Sequence, residues 1–148
     1  MQKEAISVPG YSGGLGGRAW SPGLKMGPWL FLSGITPVDY AAGASVGRSP
    51  QPNAMTPGSI DPEAQWRQVL SNIQAVMESA GGTMADVVMA NVFVTDMHFY
   101  YQYEWIRKEF FVEPYPVSTA VEVGSLVHPD WILEIECIAY IDKASEAT

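Results

Sequence analysis

The chain has 148 residues, 47% of them apolar, which is the length of one domain and enough apolar material to bury a core without disulfides. Asp and Glu outnumber Lys and Arg 16 to 8, a formal charge of −8, so no basic stripe can neutralise phosphates and nucleic-acid partners are disfavoured. Cys137 is the single cysteine, which excludes an intramolecular disulfide, and with only His98 and His128 beside it no zinc spacing exists, so no metal is expected.

The opening 28 residues are rich in Gly, Pro and Ser; Ala5 to Val8 alternate like a short strand, and residues 1–18 read as a flexible leader to a single domain spanning 1–148. Neither a charged-then-apolar leader nor a bilayer-length apolar run is present, so a soluble cytoplasmic protein is expected, with no membrane partner. Gly10-Tyr-Ser-Gly-Gly14 matches the nucleophile pattern G-x-S-x-G, but that motif needs a strand-to-helix turn that this leader does not offer Ser12. Trp29 to Leu32 is a strand ending at Ser33-Gly34. From Tyr40 to Ser59 no apolar period exists, so residues 40–60 read as a long surface loop.

A helix begins at Asp61, a good N-cap, with Pro62 in its first turn. Trp66, Val69, Leu70, Ile73, Val76 and Met77 then recur at helical spacing until Gly81-Gly82. Val87 to Thr95 is a valine-dense strand that suits cover on both faces, with Asn91 needing a partner. His98 to Phe111 reads as a second, less cleanly amphipathic helix closed by Pro114 and Pro116. Thr119 to Val123 and Trp131 to Ile141 are the last strands. In the final one Leu133, Ile135, Cys137, Ala139 and Ile141 share one face, while Ile132, Glu134, Glu136 and Ile138 share the other. That mixed face is best satisfied against copies of itself, so a homo-oligomer is expected. The element order argues an α+β fold with both helices on one side of the sheet.

Four segments carry a family resemblance: Phe31-Leu-Ser-Gly34 with Ile35-Thr-Pro-Val38; Asn72-Ile73 leading to Met77-Glu-Ser-Ala-Gly-Gly82; Val92-Phe-Val-Thr-Asp96; and Leu133-Glu-Ile-Glu-Cys-Ile-Ala139. Together they resemble the RidA/YjgF family, and Ala80 to Val87, Glu109 to Phe111 and Val127 to Asp130 are most similar to its aminoacrylate-deaminase-like branch. The resemblance implies a chorismate-mutase-like sheet with two helices on one face and a homotrimer whose clefts lie between subunits. It also implies addition of water to reactive imines or enamines with release of ammonia, and no cofactor.

By the same resemblance Glu134 positions the water, Ser33 and Gly34 line the cleft, Trp20 closes over the small-molecule ligand, and Ala120 lies on the penultimate strand that helps to hold it. Ser118 stands where deaminating members carry an arginine that grips the substrate carboxylate, and Glu104 stands where an asparagine is frequent. A neutral hydroxyl in place of a bidentate guanidinium forfeits about 1.5–3 kcal/mol of charge-assisted bonding. The expected ligand is therefore a neutral or cationic imine- or amine-like compound, not a standard 2-imino acid, unless Arg18 or Arg107 supplies the missing cation. Glu136, about 6.8 Å from Glu134 along the strand, reads as a surface or intersubunit contact and Cys137 as an inert core thiol. Two functions stay open: an enzyme of imine or enamine chemistry, or a metabolite-binding trimer without catalysis. A ribonuclease or translation inhibitor fits the acidic chain less well.

Overall fold

The structure is a computed structural model that describes residues 1–11, 19–48 and 59–142. Ser12 and Arg18, with the centre of the 40–60 loop, lie outside the described residues. Among the described residues eight strands form: β1 (Lys3–Ile6), β2 (Gly23–Met26), β3 (Trp29–Leu32), β4 (Val38–Asp39), β5 (Ala44–Ser45), β6 (Val87–Val94), β7 (Ala120–Glu122) and β8 (Leu133–Tyr140). The helices are α1 (Pro62–Ser79) and α2 (Met97–Tyr103). Six strands make one mixed sheet in the order β1-β2-β3-β8-β6-β7, in which only the β6–β7 pair is parallel. Strands β4 and β5 form a separate hairpin.

Alternation along the strands decides the layers. Leu30, Leu32, Ala90, Val92, Val94, Leu133, Ile135, Cys137 and Ala139 are buried on one face and meet Trp66, Leu70, Ile73 and Met77 of α1. Met97, Phe99, Tyr100 and Tyr103 of α2 pack on the same core, so both helices cover one face of an α+β fold. The Asp61 carboxylate accepts from Ala64 N at 3.1 Å, capping α1. At the other end Gly81, at φ +80°, lets Gly82 N reach Met77 O and Gly81 N reach Glu78 O, which satisfies the last carbonyls. Among the described residues no helix is long and apolar enough to cross a membrane.

Several expectations are corrected. The segment His98–Phe111 is not one helix: α2 stops at Tyr103, and a 3-10 turn, Glu104–Glu109, follows with its own i→i+3 geometry. Strand β6 is covered on one face only, since Val88 is exposed and Met89, Asn91 and Phe93 are half-buried. Asn91 does find partners, donating to Glu136 at 3.3 Å and accepting from Thr119 N at 3.3 Å. Ile132 does not join the open face; it precedes β8 and is buried, its N–H donating to Gln65. Ile6, Val8 and Tyr11 are in the core and β1 pairs with β2, so the leader is anchored at these points rather than free along its length.

Candidate functional site

The cleft is built around the end of β3. Ser33 N donates to Pro22 O at 3.0 Å and Ser33 Oγ to Ser21 O at 2.6 Å, which ties the turn to the segment carrying Trp20. Ile35 and Ile135 then exchange two backbone bonds, at 2.8 and 3.1 Å, and so set Gly34 against Glu134. The approach is close enough that a Cβ at Gly34 would lie 2.7 Å from Glu134 Cδ, so any larger residue there would push the carboxylate aside. Glu134 itself leaves the open face of β8, opposite Phe93.

Two further walls complete a cavity of about 720 Å³, a size suited to a small molecule. One is the β4–β5 hairpin with Val38, Tyr40, Ser45 and Arg48; the other is the segment Val127, His128, Asp130 and Trp131. Helix α1 holds both. Asn72 Nδ2 donates to Thr36 O and Val38 O at 2.9 Å each. Gln65, fully buried, donates to Val46 O at 3.3 Å and Asp130 O at 2.7 Å, and accepts from Ile132 N at 3.0 Å. Trp131 Nε1 donates to Ser45 Oγ at 2.8 Å, and Arg48 forms an ion pair with Asp130.

Glu134 makes no hydrogen bond among the described residues. Partial burial, and secondarily the charge of Glu136, push its carboxyl above the ordinary value of 4.5. A carboxylate of raised basicity facing a cavity is suited to hold a water or move a proton. Among the described residues no cluster of three or more His, Cys, Asp or Glu side chains is arranged to hold a metal.

Residues 17–141 match the family model described as Endoribonuclease L-PSP. The chain belongs to the RidA/YjgF/L-PSP family. A RutC family protein of Pyrococcus horikoshii is 36% identical over 121 residues, covering 82% of this chain and 86% of that protein. A Rid-family protein of unknown function from Yersinia pestis superposes with a TM-score of 0.78 at 27% identity, over 95% of this chain and 100% of that one. RidA from the Antarctic bacterium Psychrobacter gives 0.69 at 30% identity, over 84% and 90%.

Within this chain the residues singled out in the sequence divide into two groups. Trp20, Ser33, Gly34 and Glu134 line the large cavity together. Glu104, Arg107 and Ser118 meet elsewhere: Arg107 donates to Ser118 Oγ at 3.0 Å, Tyr100 OH at 3.0 Å, and Glu104 at 2.9 Å to the carboxylate and 3.3 Å to the carbonyl. Ala120 is on β7 in register with Val92, on the helix-covered side, whereas Glu134 is on the open side. Arg107 is thus fastened by contacts within its own chain. The sequence reading missed Arg48, which sits in a stretch without apolar period. The available signal was its chemistry, because the chain has only 8 Lys and Arg and this one lies in an otherwise uncharged run.

Proposed function

We propose that the protein is an enzyme that hydrolyses, tautomerises or otherwise processes a small imine-, enamine- or amine-derived intermediate. Its cleft is completed by a second subunit of a homotrimer. The observation that carries this reading is Glu134, an unpartnered carboxylate of raised basicity packed on Gly34 in a cavity walled by Trp20, Tyr40 and Trp131. For a C=N substrate, Glu134 takes a proton from water as the oxygen attacks the imine carbon. It returns that proton to the nitrogen to give the carbinolamine, then takes the hydroxyl proton and delivers it to the amino nitrogen as the C–N bond breaks, which leaves a carbonyl compound and ammonia.

The 118 position supports a substrate other than a standard 2-imino acid. Ser118 takes the place of the family's carboxylate-gripping arginine, and the guanidinium beside it, Arg107, is balanced by Glu104 at 2.9 Å. The guanidinium nearest position 118 is therefore already balanced within its own chain. The acidic chain and the two carboxylates in the cavity speak against a ribonuclease.

The test is ammonia release from a freshly generated carboxylate-free imine and from 2-aminoacrylate. The wild type is expected to favour the former, and Glu134→Gln to lose on the order of 10²-fold or more in turnover while still binding ligand. Unchanged turnover in Glu134→Gln refutes the catalytic role. Faster wild-type release from 2-aminoacrylate refutes the substrate class, and binding without turnover in the wild type would make the protein a metabolite-binding trimer.

A further inference from the structure

The cavity contains a charge pair that the deamination chemistry does not use. Arg48 and Asp130 come from different segments, yet both are positioned from the interior. Gln65 holds the carbonyls of Val46 and Asp130, and Asp61 N donates to Gly47 O at 2.6 Å. Gly47 adopts φ +70°, and a Cβ there would lie 2.9 Å from Gln65 Cγ, so the backbone that delivers Arg48 leaves no room for another residue. The Arg48–Asp130 pair is thus built into the cavity wall, with 35% of the Arg48 side chain and 16% of the Asp130 side chain exposed.

Arg48 Nη1 is engaged by Asp130 Oδ1, while Nε and Nη2 have no acceptor among the described residues. A guanidinium carries five N–H groups in a fixed fork, so donors remain for a ligand. The charge, by contrast, is already balanced. Arg48, Asp130 and Glu134 leave one net negative charge in a cavity of a protein at −8. A carboxylate brought to Arg48 would face the Asp130 and Glu134 carboxylates as well, and like charges set together in a partly desolvated site are strongly unfavourable. An uncharged carbonyl oxygen can accept the same N–H groups without that repulsion.

We propose that the Arg48–Asp130 pair is the specificity determinant of this cavity. Arg48 donates to an uncharged amide- or ketone-type oxygen of the ligand, and Asp130 rejects carboxylates by cancelling the guanidinium charge. The Trp20, Tyr40 and Trp131 side chains give the rest of the ligand an aromatic surface. The inference rests on the reading of this cavity as a small-molecule site and names the ligand class for it.

Phenylacetamide and phenylacetate share one body and differ in the terminal group. Their affinities for the full chain, measured by isothermal titration calorimetry, are expected to differ on the order of tenfold in favour of the amide. Asp130→Asn keeps the shape and removes the negative charge, so phenylacetate should gain on phenylacetamide by a similar factor. Arg48→Ala should weaken the amide. Tighter binding of phenylacetate by the wild type overturns the proposal, as does an unchanged ratio in an Asp130→Asn protein whose melting curve matches wild type, or binding of neither compound at millimolar concentration. If Asp130→Asn does not fold, Arg48→Ala decides, and undiminished amide binding refutes the idea. Turnover lost in Glu134→Gln is an independent readout. An inverted amide preference alongside it sinks this proposal alone, whereas loss of both results sinks the reading of the cavity.

Discussion

Glu134 links stability to chemistry at the level of one atom group. Its folded value lies above 4.5, so the protonated form favours the fold; that contribution is full below the unfolded value and is lost as pH rises through the folded one. Ionised Glu134 is then a cost that Glu134→Gln removes. The variant should melt at a higher temperature than wild type at neutral pH, with the advantage vanishing as the pH falls below 4.5; thermal melts at neutral and acidic pH check this. The position of Glu134 was legible because a strand alternates with period two, and a carboxylate between Leu133 and Ile135 must face away from the core. Arg48 was not legible. Its place depends on hydrogen bonds to side chains of α1 and to the 130 segment, which leave no periodic trace in the sequence.

At the scale of elements, α1 organises the site as well as the core. Its apolar face was readable from three- and four-residue spacing, and the structure places that helix within a residue of its caps. The polar residues Gln65 and Asn72 gave no such signal, since only the fold shows that they are buried against two loops. Gln65→Leu would leave Val46 O, Asp130 O and Ile132 N without their side-chain partner. A loss of about 2–4 kcal/mol is expected, measured by urea unfolding, together with weaker ligand binding because both cavity walls loosen. The β4–β5 hairpin, two residues per strand, is too short for any alternation to register. Strand β2 was missed because Gly23 and Lys25 interrupt its apolar residues. Helix α2 was overextended because the 3-10 turn after it keeps aromatic residues at similar spacing.

On the scale of the whole molecule, the open face of the sheet carries Trp29, Phe31, Val121 and Tyr140, each about 40% exposed in the single chain. Trp29 and Tyr140 meet edge to face at 5.0 Å. An apolar surface of this extent around Glu136 suits the homotrimer that we propose. Phe31→Asp, in the middle of that face, should shift sedimentation from the three-chain to the one-chain mass, while Ser71→Asp, on the exposed side of α1 and away from both that face and the cavity, should not. The sheet order has a consequence for how the molecule comes into being. Strand β8, the last of the described strands, lies between β3 and β6, so until residues 133–140 are available the sheet consists of two halves with unpaired inner edges. Contacts of such long sequence separation slow folding and leave aggregation-prone strands waiting for their partner. Because Glu134 rides on that strand, the proposed catalytic group enters with the element that closes the sheet, and a chain interrupted before β8 would lack both at once.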